Sequence, residues 1–262
     1  MSSRQLALVK KDIRSIIANK QVFTVLLIVP LMLTIVLPSI FVFVLTQAPD
    51  AANDFQKLLD KFFITNEEYS QQQMIVHFVL NYIMPSFFLI IPIMASSVMA
   101  ASSFVGEKEK HTLETLLYSP LSLKQVFQAK ILAGFFIGII VSFISFVAML
   151  LVLEVEAFFL TNFLIIPNIS WLVILLLVAP AFSLVAIALI VRCSAKAKTI
   201  EDAQQRAVFL VFPILALVIG QFTGIILISA WLLLGLSLIL LILDVFLMKS
   251  VAKDFTYEKL LK

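Results

Sequence analysis

The sequence predicts an all-α integral membrane protein. It should have six transmembrane helices, an amphipathic helix before the first, and a charged, helix-patterned loop between the second and third. Three observations carry this. Of 262 residues, 62% are hydrophobic and 13% charged, against about 25% charged in an average soluble domain. Several apolar runs reach the roughly 20 residues that a helical span needs, and none alternates like barrel strands. Hydrocarbon offers the backbone no water, so these runs must close their hydrogen bonds internally, as helices.

The elements follow in order. In residues 1–20, Leu6, Val9, Ile13, Ile16 and Ile17 recur at helical spacing, while Arg4, Lys10, Lys11 and Arg14 occupy the rest of the wheel. That suits a helix lying in the membrane interface; a packed cytosolic helix is the alternative. Span one is 22–46, kinked at Pro30 and Pro38. It is longer than the apolar core of a signal peptide and no small-residue cleavage pattern follows it, so it reads as retained. In the loop 47–74, Phe55, Leu58, Leu59 and Phe62 pattern a short amphipathic helix. Span two is 75–104, with Pro85 and Pro92, and span three is 131–153. The stretch 154–170 reads as too broken to span and is placed in the outer interface; span four is 171–191.

The apolar run 207–248 would be about 60 Å long as one helix at about 1.5 Å per residue, twice the hydrocarbon thickness. It must turn back, and Gly220 to Gly224 is the turn, giving spans 207–220 and 225–248. The first is short: either it begins nearer Asp202 or it dips into the outer leaflet as a re-entrant hairpin. No linker or second domain is evident, so 1–262 reads as one transmembrane domain.

Charge sets the orientation. With both termini in the cytoplasm, Lys and Arg number five in 1–20 and four in each of 105–130, 192–206 and 249–262. Only Lys57 and Lys61 remain outside. That asymmetry is a strong positive-inside signal and requires an even number of spans. The expected location is a prokaryotic plasma membrane.

Missing motifs narrow the function. There is no P-loop sequence for ATP, no His-Glu-x-x-His and no serine-nucleophile motif. The two histidines, His77 and His111, and the single Cys193 cannot form a disulfide framework or a Cys-rich metal site. The chain therefore reads as a non-enzyme with no metal or cofactor of its own, and no nucleic-acid partner. Inside the spans, Asp244 is the ionisable residue that stands out. It either pairs structurally, with Arg192, Arg206 or Lys249, or serves function. His77 and Asn81 share a face near the outer end of span two. Small residues crowd 95–103 of span two, and Gly134 and Gly138 form a small-xxx-small pair in span three. Such positions admit close helix approach, within the chain or at a dimer seam or pathway lining.

The polar island 106–130 carries the functional signal. Glu107 to Leu117 can form a short helix with Leu113, Leu116 and Leu117 on one side. Ser119-Pro120 stops it, because the residue before proline is pushed out of the α region. Ser122 and Gln125 then make a capping box for a second helix that runs through Lys130 into span three. Helix, break and helix make a lever that transmits a push.

At these residues the chain resembles the permease subunits of ABC-2 type ABC transporters. The stretch Gly106-Glu-Lys-Glu-Lys-His-Thr-Leu-Glu-Thr-Leu-Leu-Tyr-Ser-Pro-Leu is similar to the family's signature after its second span. Ser194 to Gln205 is similar to the segment before its span five. The resemblance implies a separate cytoplasmic ATP-binding cassette subunit in two copies, which binds the ATP and Mg, and a second permease copy or paralogue. It makes 106–130 the cytoplasmic coupling loop, with Glu107, Glu109, Thr112, Leu113, Glu114 and Leu117 facing the ATPase. The N-terminal helix, with Arg4, Lys10, Lys11 and Arg14, becomes the lipid-contacting interfacial helix. Spans two and five would line the path or dimer seam, at Ser96, Met99, Ser103, Phe212 and Gln221. The resemblance gives the polarity, usually export, but not the cargo. Scarce Trp and Tyr lean away from polysaccharide, and Phe and Met lean toward an amphipathic peptide, drug or lipid. A stand-alone carrier or channel, or a non-transporting scaffold, is the alternative.

Overall fold

The computed structural model describes residues 3–47, 70–109, 121–162, 164, 166–194, 197, 199–223, 225–226 and 228–254. Among these residues the protein is helices and short connections, with no strand. Six helices are long and apolar enough to cross a membrane: Val22–Val44, Gln72–Glu109, Lys124–Leu160, Ile169–Ser194, Ile200–Phe222 and Ala230–Val251. They are spans one to six. The amphipathic helix expected around Phe55 to Phe62, and residues 110–120 of the polar island, lie outside the described residues.

Span two is the most buried and span four the next. Span two packs against span three, span four and the short helix Ile200–Ala207, while span six lies against span four. Small residues make the centre close. A Cβ on Gly138 would collide with the hydroxyls of Ser96 and Ser183, and one on Gly134 would lie 3.0 Å from Ile187 Cδ1. The glycine pair of span three thus serves packing within this chain.

Prolines shape spans one, two and four by one rule. A wide π turn occupies Met32–Val36, Val79–Ile83 and Ile174–Val178, each ending two residues before a proline: Pro38, Pro85 and Pro180. A proline ring clashes with the carbonyl four residues earlier, which is the central residue of each π turn: Thr34, Asn81 and Leu176. Widening the turn swings that carbonyl clear.

Several element ends differ from the sequence expectation. The helix carrying span three runs unbroken over Leu123–Thr161. Residues 154–161 therefore continue the helix rather than breaking it. It stops at Asn162, whose left-handed φ of 51° ends the helix. Span five begins at Ile200, where the Thr199 side chain accepts the Asp202 N–H. It passes a tighter turn at Val208–Leu210 and ends at Phe222, two residues beyond the expected end at Gly220. Gly220 receives the returning chain: its carbonyl accepts the N–H groups of Ile225 and Ile226.

The N-terminal helix Ser3–Ala18 has three faces. Gln5, Leu8, Val9, Asp12 and Ile16 pack inward, mainly on span three. Leu6 and Ile17, counted in the sequence among the apolar face, are exposed, with Ile13 half-buried beside them. The packed face is therefore rotated from the expected one, toward Asp12. Arg4, Lys10, Lys11 and Arg14 fill the remaining exposed arc.

Candidate functional site

Residues 110–120 follow the end of span two and precede the start of span three, and these two helix ends are pinned to the N-terminal helix by buried charge. Lys130 Nζ lies 2.8 Å from Glu107 Oε2 and 3.6 Å from Asp12 Oδ2, and donates to the carbonyl of Ser103. It also sits 5.5 Å from the centre of the Phe104 ring. Lys11 Nζ completes the group, 2.9 Å from Glu107 Oε1 and 3.6 Å from Asp12 Oδ1. The Ser103 hydroxyl donates to Asp12 at 3.4 Å.

Side-chain exposure is 2% for Lys130, 5% for Asp12 and 11% for Glu107, but 57% for Lys11. Two cations meet two carboxylates, so the cluster is formally neutral. Burial disfavours the Asp12 carboxylate and raises its pKa; Glu107 adds to the rise, and Lys130 and Lys11 oppose it without cancelling it. Burial pulls Lys11 down, but the hydrogen bond and charge of Glu107, with Asp12 behind them, outweigh it and its pKa is raised.

The cluster binds three elements: the N-terminal helix through Lys11 and Asp12, span two through Ser103 and Glu107, and span three through Lys130. Gln5 adds a contact to Gln128 at 3.4 Å. On the other side of span two, the Glu109 carboxylate accepts the Ile200 N–H at 3.3 Å, and Gly106 leaves room for the Ile200 side chain. The last turn of span two therefore holds both the N-terminal helix and the start of span five. Both helices that flank residues 110–120 are thus anchored near the ends that face that segment.

The expected site residues divide clearly. Glu107 turns inward to Lys11 and Lys130 rather than presenting its charge to a partner. Thr112, Leu113, Glu114 and Leu117 lie outside the described residues. Ser96, Met99, Ser103 and Gln221 were placed on a pathway or seam, yet all four are buried within this chain. Ser96 donates to the Gly134 carbonyl at 3.4 Å, and Gln221 accepts from Ser86 and donates to the Tyr82 carbonyl. The three on span two are packed because it offers those faces to its own neighbours, and Gln221 of span five bonds across to span two. Phe212 is exposed.

The pair of Asp244 with Arg192 is not made: both Asp244 oxygens are buried without a hydrogen-bond partner among the described residues, and Arg192 is exposed. Asp244 lies on the face of span six that also buries Leu233, Ser237, Leu240, Leu247 and Val251. Asp12 and Lys130 were missed as partners. The signal available was that Asp12 is the sole acid in the first 49 residues.

Spans two and five do enclose a cleft, though on different residues. It has a volume of about 290 Å³ and is lined by Ile93, Met94, Ser97 and Val98 of span two. Glu201, Gln204, Gln205, Val208 and Val211 of span five face them.

Six apolar helices, of which the second is the most buried, define a multi-pass membrane protein. The family model described as ABC-2 family transporter protein matches residues 6–244, and the chain belongs to that family. No curated protein matches the chain.

Proposed function

We propose that this chain is the permease half of an ATP-driven exporter of amphipathic cargo. Permeases of its family generally pair with an ATP-binding cassette subunit. Here that subunit, in two copies, docks on the island through Glu109, Thr112, Leu113, Glu114 and Leu117, and supplies all ATP and Mg chemistry. A second permease copy or paralogue completes the path. Both termini are cytoplasmic, the membrane is the prokaryotic plasma membrane, and the N-terminal helix lies in its inner interface against lipid. Its exposed Leu6 and Ile17 beside an arc of four cations suit that position.

The observation that carries the reading is the neutral cluster of Asp12, Lys11, Glu107 and Lys130. A push on the island reaches spans two and three through fixed contacts, and moves the N-terminal helix with them.

The test is co-purification with the cassette ATPase encoded beside this chain, reading complex formation and cargo-stimulated ATP hydrolysis separately. Glu114→Arg is expected to lose the complex. Lys130→Met is expected to keep the complex and lose most of the stimulation. If both variants match wild type, the island is an ordinary interfacial loop.

A further inference from the structure

The cleft between spans two and five is polar at one end and apolar at the other. Its span-five wall, Glu201, Gln204, Gln205, Val208 and Val211, follows one face of the helix for about 15 Å. Gly106 packs against Ile200, so the Glu201 end adjoins the last turn of span two, across that helix from the ion cluster. The Val211 end faces Ile93 and Met94, deeper in the span. The volume of about 290 Å³ is at the small end of ligand sites, which run from roughly 300 to 1,000 Å³.

Two polar features of the lining point to a ligand. Ser97 is 4% exposed, and its hydroxyl has no hydrogen-bond partner among the described residues, although it borders the cleft. A buried hydroxyl left unpaired is costly, and a hydrogen-bonding group on a ligand at that depth would satisfy it. Glu201 is the sole charged residue of the lining. Arg206 is five positions further along the helix, about 140° around it and off the cleft face.

We infer that this cleft binds a cationic amphiphile: a monocation, such as a quaternary ammonium or protonated amine, on a compact apolar body. Glu201 takes the charge, with the amides of Gln204 and Gln205 beside it. The apolar body lies along Met94, Val98, Val208 and Val211, and a polar atom part-way along meets Ser97. The bound orientation, charge at the basic end of the protein and apolar body inward, is the one such a molecule has in the adjoining leaflet. This names the cargo class and so rests on the transporter reading above.

Tetraphenylphosphonium and tetraphenylborate, nearly equal in shape and opposite in charge, test it. Binding of radiolabelled tetraphenylphosphonium is measured on the full chain in lipid nanodiscs, against empty nanodiscs. Glu201→Gln removes a charge from an exposed position and is expected to weaken binding about threefold, the scale of an exposed ion pair. Ser97→Phe, which fills the cleft, is expected to abolish it, and tetraphenylborate is expected not to compete. The inference is overturned if Glu201→Gln leaves the affinity unchanged or if the borate competes equally well. The same preparations are assayed for a complex with the neighbouring cassette ATPase. A complex with charge-indifferent binding retracts the site alone, whereas charge-selective binding without any complex retracts the transporter reading alone.

Discussion

At the scale of single residues, Lys130 is the position on which most depends. It sits at 2% exposure between two carboxylates. Removing one partner from a buried ion pair typically costs about 3–5 kcal/mol, because the other charge is left stranded. Lys130→Met should therefore lower stability by an amount of that order, read as thermal unfolding in detergent. Adding Glu107→Gln should recover part of the loss, because one stranded carboxylate is then neutral. If the double variant is no more stable than the single, the two side chains do not act as a unit. Asp12 adds a pH signature. Its folded pKa stands above the ordinary 3.8, so the folded chain holds that proton more tightly than the unfolded chain does. The contribution of Asp12 to stability then falls as pH rises from its ordinary value through the raised one. Asp12→Asn should flatten the stability profile over that window; an unchanged slope would assign it to another group. Lys11 acts at the opposite end: its contribution is complete below pH 10.5 and is lost as pH climbs through its raised value.

At the scale of elements, each π turn solves a problem that a proline creates and leaves a second one behind. Within Val79–Ile83 the bonds run five residues back, as the Met84 N–H to the Val79 carbonyl shows. In that register the carbonyl of Leu80 would look to residue 85, a proline with no N–H. The indole N–H of Trp171 supplies the donor instead, at 3.2 Å. Trp171 is itself 1% exposed and packs edge-on to Phe88, so the same residue caps the carbonyl and ties span four to span two. Trp171→Phe keeps a large ring and loses the donor. It should cost about 1–3 kcal/mol, visible as a lower unfolding temperature and faster amide exchange around Leu80 in span two. Unchanged exchange there would mean another group satisfies Leu80. The prolines of spans one and two are plain in the sequence as kinks. The tryptophan that completes one is not, because the pairing joins residues 91 positions apart.

At the scale of the whole molecule, what was legible is what is local. Apolar runs give the six spans because hydropathy is summed along a few turns, and Ser122 with Gln125 marks a helix start because the capping box closes within four residues. The site was legible only in part. Lys11 and Glu107 stand out as charges, but their bond spans 96 residues, and nothing local tells a charge that faces a partner from one that faces another helix. The basic excess is a property of the whole chain and carries a further prediction. If Lys10 and Lys124 lie on the cytoplasmic side, the hairpin of spans two and three places Gln72 on the opposite side. The reason is that one helix runs from Gln72 to Glu109 and its partner back from Lys124 to Leu160. In a Cys193→Ser background, a cysteine at Gln72 should react in intact cells with a membrane-impermeant maleimide. One at Lys10 should react only after permeabilisation. Both sites are exposed, so silence would not come from burial. The reverse pattern would turn the island, the ion cluster and the Glu201 end of the cleft to the outer face, where no ATPase could reach them.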